Sequence, residues 1–176
     1  GAPFKGLRTS SPLWADVLLK AIPDAYRRIV DTAIEKRVDF VVVAGDIFDD
    51  SRPSYADFSL FVSGLERLND AGIPVYFVTG NHDPFTSWDN SFSVLPENAH
   101  LLGAGKPSLA LYEREGEPLA LIGGRGYFSQ YWPAGVAISA GVSRETAQRE
   151  LGVQPHFMVG VLHTGLDIDP HRSPMH

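Results

Sequence analysis

The sequence predicts an α/β fold with helices flanking the strands, and three observations carry this prediction. Apolar runs typical of buried strands alternate with segments of helical periodicity. Two later apolar runs flank the turn Glu115-Gly116, which indicates a hairpin and therefore a mixed sheet or a sandwich. The length suits one domain, and no linker or repeat marks an internal boundary, so residues 1–176 are expected to form one unit.

The first predicted helix and the strand after it come from residues 23–48. Apolar residues recur at helical spacing over 23–37, and Pro23 is tolerated in a first turn, so we expect the helix to begin there. The run "VDFVVVAGDIF" over 38–48 is almost unbroken in apolar residues. Such a run is typical of a strand that is buried on both faces.

A second helix and a second strand follow. Ser54 and Asp57 have the spacing of a capping box, in which the serine side chain accepts a hydrogen bond at the start of a helix. Gly72 is placed to end this helix, because glycine adopts the left-handed conformation that closes many helices. The run "IPVYFVTG" over 73–80 then predicts another buried strand.

The second half of the chain is less regular. Two short strands are expected within 107–128, on either side of the hairpin turn. Ser143 begins a predicted short helix, "SRETAQREL", and "HFMVGVLHTG" over 156–165 predicts a last apolar strand. Helices and strands are therefore expected in this half of the chain as well, as far as residue 165.

The composition excludes several classes of protein. The net charge of −6 argues against a broad basic face for nucleic acid, so a phosphate-bearing substrate would need a local cation. The chain has no cysteine, which excludes disulfides and thiolate metal sites and fits a reducing cytoplasm. No apolar run approaches the roughly 20 residues that cross a bilayer, so no membrane association is expected.

Three of the predicted strands end in polar residues. Asp46 follows the first strand, Asn81, His82 and Asp83 follow the second, and His163 lies at the end of the last. Ligands bind beyond the carboxyl ends of the strands in open α/β sheets, so these side chains converge if the strands are parallel neighbours. A carboxylate, an amide oxygen and imidazoles form a mixed ligand set suited to manganese, iron or zinc.

Each of these residues also has a purely structural explanation. An aspartate after a strand, such as Asp46, commonly caps a turn or a helix, and Asn81 alone is typical of a turn. His163 lies in an apolar run and on its own indicates a hydrogen-bonded core histidine. The combination favours a site, because coincidence would have to place a polar group at three equivalent strand ends.

The strand-end motifs resemble those of the calcineurin-like metallophosphoesterases. These motifs are "GD" at Gly45, "GNHD" at Gly80 and "LHTG" at Leu162. The longer stretches "GDIFDDSRPS", "GIPVYFVTGNHDP", "GAPFKGL" and "LPENAHLLG" resemble the branch with SbcD-type and YhaO-like DNA-repair exonucleases. The resemblance extends to about Phe128 and resumes around His163, whereas residues 129–155 resemble nothing specific. It implies a layered βαβ sandwich with helices flanking mixed sheets.

The resemblance implies a role for each strand-end residue. Asp46 would bridge two divalent metal ions, most often Mn with Fe or Zn as alternatives, and Asn81 and His163 would be ligands of one of them. His82 would be the general acid beside the scissile phosphate. Asp83 would support His82, either by orienting its ring or by holding the turn.

The chain departs from the family pattern at both ends. The family's first motif, Asp-x-His, would precede the "GAPFKGL" segment, and its last, Gly-His-x-His, would follow "LHTG"; neither is present. His171 and His176 lie in "DPHRSPMH", which does not match the last motif and is expected to be a solvated loop. We therefore expect residues 1–176 to be part of a catalytic domain that is incomplete at both ends.

Three functions remain open at this stage. The first is a metal-dependent DNA nuclease subunit, for which the resemblance implies DNA as substrate, a homodimer and an ATPase partner. The second is a phosphoesterase for nucleotides or phosphorylated metabolites, and the third is a non-enzymatic scaffold. Aromatic residues in "FTSWDNSF" and "YFSQYWPAG" either stack on unpaired bases, or they anchor loops to the core or form a subunit interface. The basic residues that could contact a phosphate backbone, or lie on a solvated surface, are Lys5, Arg8, Arg52 and Arg125.

Overall fold

A computed structural model describes residues 12–49, 51–88, 91–153 and 155–165 of the chain. The expectations for Lys5, Arg8, His171 and His176 lie outside these residues. The elements within them, in chain order, are helix α1 (Pro12–Lys36), strand β1 (Val41–Ala44), helix α2 (Tyr55–Asp70), strand β2 (Val75–Val78), the 3₁₀ turns Phe85–Ser87 and Ser91–Val94, strand β3 (Ala99–Leu101), strand β4 (Ser108–Arg114), strand β5 (Glu117–Arg125), helix α3 (Arg144–Leu151) and strand β6 (Phe157–Leu162).

Helix α1 begins eleven residues before the predicted start. Pro23 lies inside the helix, although a proline there lacks the N–H that an interior turn uses. The residues before it are rich in Leu, Ala and Lys, which are strong helix formers, so the helix continues through the proline. The helix ends where Arg37 adopts a positive φ of 48°. The prediction that the helix starts at Pro23 was therefore wrong.

Helix α2 has the predicted boundaries. The Ser54 hydroxyl accepts a hydrogen bond from the backbone N–H of Asp57 at 3.1 Å and donates to its carboxylate at 2.6 Å. Gly72 follows the helix with a φ of 70°, the left-handed conformation that favours glycine. Both signals read from the sequence are confirmed.

The first sheet is parallel and has the order β1-β2-β3. All four residues of β2 are buried because it is the central strand. Strand β1 is an edge strand on which burial alternates, and Val42 is 43% exposed. The expectation that the run 38–48 forms a strand buried on both faces was wrong, because the side chains of alternate residues of β1, Val42 among them, are exposed.

The second sheet is mixed, as the hairpin predicted. Strands β4 and β5 pair antiparallel, and β5 pairs parallel with β6. The turn between β4 and β5 has positive φ angles at Glu115 (55°) and Gly116 (82°), which is the geometry of a tight two-residue hairpin loop.

The two sheets pack face to face and helices cover the first sheet. Side chains from β2, β5 and β6 form the core between the sheets, with Val78, Ile122 and Val161 at most 3% exposed. On the other face of β2, Phe77 packs against residues of α1 and α2, including Leu65. The predicted layered α/β sandwich is confirmed. Among the described residues, no helix is both long enough and apolar enough to span a bilayer.

Candidate metal centre

The carboxyl ends of three strands converge at one edge of the two sheets. Strands β1 and β2 are parallel neighbours, and the end of β6 reaches them from the second sheet. The Nε2 atom of His163 lies 3.1 Å from Oδ1 of Asn81 and 3.3 Å from Oδ2 of Asp46. The three predicted metal ligands are therefore in contact, although β6 is not a neighbour of β1 within a single sheet.

The hydrogen bonds of His163 fix which of its nitrogens faces this cluster. Its Nδ1 lies 2.8 Å from the backbone carbonyl oxygen of Ala44. A carbonyl oxygen only accepts, so Nδ1 carries the proton, and in the neutral ring Nε2 presents a lone pair. That lone pair faces the oxygens of Asn81 and Asp46, which are themselves acceptors. The arrangement is stable only with a proton or a cation between these atoms.

The spacing of these atoms fits a shared cation. Ligand atoms about 2.1 Å from a cation with octahedral geometry are about 3.0 Å apart along each edge. The separations of 3.1 and 3.3 Å are close to this value. The bond from Nδ1 to a backbone carbonyl is also the usual outer contact of a metal-binding histidine, because it holds the ring and leaves the other nitrogen free.

The cluster contains donor groups of the kind that could hold one cation. It contains one carboxylate, one amide oxygen and one imidazole. In the part of the chain that the structure describes, no group of three or more His, Cys, Asp and Glu side chains is placed to hold a metal. A second cation would therefore need ligands from other parts of the protein.

The loop that carries Asp46 has an unusual backbone. Gly45 and Asp46 have positive φ angles of 80° and 47°. Aspartate tolerates this region better than most residues, and such strained conformations occur often at functional sites. The backbone N–H of His82 donates to Oδ1 of Asp46 at 3.2 Å, so the other oxygen, Oδ2, is the one that faces His163.

Two glycines allow the loops to approach each other. A Cβ on Gly45 would lie 2.7 Å from Cγ of His163, and one on Gly80 would overlap Oδ1 and the backbone nitrogen of Asp46. Contacts this close require something to shift. The close packing of His163 and Asp46 against the two loops therefore explains why "GD" and "GNHD" each begin with a glycine.

Asp83 is buried and joins two loops. Its carboxylate accepts hydrogen bonds from the backbone N–H groups of Gly80 (2.8 Å), Ile47 (2.9 Å) and Phe48 (3.3 Å). Burial raises the pKa of Asp83 to about 6, and the charge of Asp46 adds to this, while the three N–H donors oppose it. Of the two roles that the resemblance implied for Asp83, these contacts support holding the turn.

His82 is exposed and contacts Asp49. Its Nδ1 lies 3.2 Å from the backbone oxygen of Asp49 and 3.8 Å from the carboxylate oxygen Oδ1. Asp49 was not among the site residues expected from the sequence. The available signal was its position three residues after Asp46 in "GDIFD", since a loop that returns past a ligand brings its next acidic residue close to the site.

A polar cleft of about 480 Å³ lies beside His82. The site residues Asn81 and His82 line it, together with residues from the loop before α2 and from the loop after β5. Of the basic residues noted in the sequence, Arg52 lines this cleft. Arg125 instead lies over the ring of Trp132 at 4.7 Å and donates to the carbonyl of Gly105, so it stabilises the fold.

The aromatic residues near the site mainly anchor loops. Trp88 is buried, and its Nε1 donates to the carbonyl of Asp83 at 3.0 Å. Phe85 stacks on Phe92 and on Phe128, with ring centroids 5.0 and 5.8 Å apart. Of the expectations for these segments, anchoring is therefore the one that the contacts show.

Comparisons with known proteins find a metallophosphoesterase and Mre11 DNA repair proteins among the relatives of this chain. The family model described as calcineurin-like phosphoesterase matches residues 19–143. The uncharacterized metallophosphoesterase YhaO of Bacillus subtilis is 28% identical over 174 residues, which is 98% of this chain and 40% of that protein. The DNA double-strand break repair protein Mre11 of Haloferax volcanii is 45% identical over 60 residues, 34% of this chain and 14% of that protein. Its counterpart from Thermoplasma acidophilum is 32% identical over 103 residues, 57% of this chain and 27% of that protein.

The chain thus spans less than half the length of these curated relatives. The segment that the family model matches is more than half of this chain. It includes Asp46, Asn81 and His82, and His163 lies beyond it in the sequence but within contact in space. The chain belongs to the calcineurin-like phosphoesterase family.

Proposed function

We propose that the protein hydrolyses phosphodiester bonds of DNA with the help of two divalent cations. The observation that carries this proposal is that Nε2 of His163 lies 3.1 Å from Oδ1 of Asn81 and 3.3 Å from Oδ2 of Asp46, so that one cation would be within reach of all three atoms. Family membership supplies the reaction class. The choice of DNA is supported by the Mre11 relatives, which are DNA double-strand break repair proteins.

Asp46, Asn81 and His163 would hold one cation, and Asp46 would share its carboxylate with the second. The mixed oxygen and nitrogen donors suit manganese, with iron and zinc as alternatives. When bound, the cations supply positive charge to the phosphate and lower the pKa of water enough to give hydroxide near neutral pH. They would also supply the local positive charge that a chain of net charge −6 lacks.

The remaining ligands would come from segments outside the described residues. The outer edge of β1 supports this, because it has no neighbouring strand among the described residues and the strand leads directly to Asp46. A strand that paired with this edge would end beside the cluster and present its side chains to the second cation. On this proposal, residues 1–176 form part of a larger catalytic domain.

His82 would protonate the leaving oxygen. A histidine exchanges its proton near neutral pH, and His82 is exposed beside the cluster rather than inside it. The carbonyl of Asp49, 3.2 Å from Nδ1, would hold the proton on that nitrogen and orient the ring. The other nitrogen, Nε2, would then carry the proton that is transferred.

A small phosphoester is the alternative substrate, and the acidic net charge of the chain favours it. The two substrates are separated by supplying the intact protein and Mn²⁺ with either a linear duplex or a phosphomonoester. Hydrolysis of the duplex at the higher kcat/KM supports the proposal, whereas preference for the monoester contradicts it.

Two substitutions test the roles of the residues in the intact protein. Asp46→Asn is expected to lower both Mn²⁺ affinity in a calorimetric titration and the rate of DNA hydrolysis. His82→Ala is expected to leave Mn²⁺ affinity within about two-fold and to lower kcat by about 10²-fold or more, the usual contribution of a general acid. Unchanged kcat in the His82 variant would remove this residue from the mechanism.

A further inference from the structure

The cleft beside His82 has walls of a consistent chemical character. Besides the site residues, it is lined by Asp49, Ser51 and Arg52 from the loop before α2. Pro84, Thr86 and Ser87 from the segment after β2, and Gln130 from the loop after β5, also line it. Apart from Pro84, these residues contribute hydroxyls, an amide, a carboxylate and one guanidinium.

This lining suits a sugar and phosphate better than a base or an apolar group. Hydroxyl and amide side chains hydrogen-bond to sugar and phosphate oxygens, and arginine binds phosphate through its planar fork of donors. The Asp49 carboxylate lies on the His82 side of the cleft, within 3.8 Å of Nδ1. Arg52 is therefore the group in the cleft with the charge to bind an anion.

The position of the cleft relative to the proposed metal ligands places it on the side of the leaving group. Asn81 both contacts His163 in the cluster and lines the cleft, so the cleft begins at the cluster. His82 lines the cleft as well, while its backbone N–H donates to Asp46. A group bound in the cleft is therefore adjacent to the side chain that supplies the proton.

We propose that this cleft binds the leaving-group nucleotide and that Arg52 binds the phosphate which that nucleotide carries. The inference rests on the proposed function, because His82 defines the leaving side only if it is the general acid. In the reaction, hydroxide oxygen forms the new bond to phosphorus. The bond from phosphorus to the ester oxygen breaks with its electron pair on that oxygen, which takes the proton from His82.

The consequence is a preference among phosphodiesters. A leaving nucleoside that carries a further phosphate would gain a charged hydrogen bond to Arg52, and a simple aryl or alkyl leaving group would not. Arg52 would thus be a specificity-determining residue that favours oligonucleotides.

The subsite is tested first by binding alone. Thymidine 3′,5′-bisphosphate is titrated calorimetrically into the intact protein with Mn²⁺, with thymidine as the uncharged comparison. Arg52→Gln is expected to weaken bisphosphate binding about ten-fold, the usual effect of losing one charged hydrogen bond, and to leave thymidine binding unchanged. Arg52→Lys keeps the charge and is expected to restore part of the loss.

Arg149→Gln is the matched control, because Arg149 is an exposed arginine on α3 that does not line the cleft. It is expected to bind the bisphosphate within two-fold of the natural protein. Equal bisphosphate affinity in the Arg52→Gln variant and the natural protein would overturn the subsite, whether or not the protein hydrolyses DNA.

A hydrolysis assay distinguishes a failure of the subsite proposal from a failure of the proposed function. The dinucleotide dTpdT is compared with pdTpdT and dTpdTp, one of which carries its extra phosphate on the leaving nucleoside. We expect one of these two to be cleaved about ten-fold better than dTpdT, and Arg52→Gln to abolish this difference. A preference that survives in Arg52→Gln overturns the subsite. Arg52-dependent binding without hydrolysis of any DNA would support the subsite and refute the proposed function.

Discussion

Replacing Asp83 with alanine is expected to separate the two loops that carry the proposed metal ligands Asp46 and Asn81. The carboxylate is 1% exposed and accepts from three backbone N–H groups, on Gly80, Ile47 and Phe48. In Asp83→Ala these donors stay buried without a partner. Since Ile47 and Phe48 directly follow Asp46 in the chain, the position of the Asp46 side chain depends on these hydrogen bonds as well.

The expected loss of stability follows from these contacts. Each buried donor that loses its partner costs about 2 kcal/mol, so three cost about 6 kcal/mol. At pH 7 the carboxyl is ionised although burial raises its pKa to about 6. Removing that buried charge stabilises the folded variant by about 3 kcal/mol. The net change is a decrease of about 3 kcal/mol in the free energy of unfolding.

Urea unfolding at pH 7, followed by circular dichroism, measures this change. With an m value of about 2 kcal/mol per M, the midpoint is expected to fall by about 1.5 M. Asp49→Ala removes an exposed carboxylate from the same loop and is the control, with an expected change below about 0.5 kcal/mol. An Asp83→Ala protein with natural stability and Mn²⁺ affinity but no activity would refute the reasoning and give Asp83 a catalytic role.

Three further substitutions have expected outcomes. Gly80→Ala places a Cβ against the Asp46 carboxylate and is expected to lower Mn²⁺ affinity about ten-fold in a calorimetric titration. Asp49→Asn changes the carboxylate beside His82 and is expected to lower kcat a few-fold, to shift its pH profile and to leave Mn²⁺ affinity unchanged. The hydrogen bond from the N-cap serine hydroxyl lowers the pKa of Asp57 below 3.8, so its ionised form stabilises α2 above that pH. The difference in unfolding free energy between the natural protein and Asp57→Asn is therefore expected to be constant near neutral pH and to shrink as the pH falls below 3.8.

The predictions for Gly80 and Asp49 each have a control variant, and those for Gly80 and Asp57 each have a contradicting result. Gly160→Ala adds a Cβ whose nearest contact is an ordinary 3.9 Å, and equal Mn²⁺ affinities in the two glycine variants would contradict the packing argument. Asp24→Asn removes an exposed carboxylate on α1 and controls for net charge at Asp49. A difference in unfolding free energy between the natural protein and Asp57→Asn that grows as the pH falls would contradict the prediction for Asp57.

The polar strand ends could be predicted because their signal is local. An apolar run that stops at a glycine and continues with Asp46, or with Asn81 and His82, indicates a strand that delivers polar groups to a sheet edge. The capping pair at the start of α2 is local in the same sense. Such patterns depend on a few neighbouring residues and on the geometry of one element.

The features that sequence reasoning missed depend on the tertiary structure. The apolar run around β1 would have the same composition in an edge strand as in a central strand. The sequence therefore could not show that β1 lies at the edge of the sheet. The contact between His82 and Asp49 depends on the positive φ angles at Gly45 and Asp46, which turn the loop back. The convergence of His163 with Asp46 and Asn81 was expected, but its route was not, because β6 reaches them from the second sheet and this depends on how the two sheets pack.

The central claim is that the three side chains in contact at the strand ends share a divalent cation. Anomalous diffraction at the manganese edge, from crystals of the intact protein grown with Mn²⁺, tests it most directly. The account predicts a peak about 2.2 Å from Oδ2 of Asp46, Oδ1 of Asn81 and Nε2 of His163. A map at saturating Mn²⁺ with no peak between these atoms would contradict it.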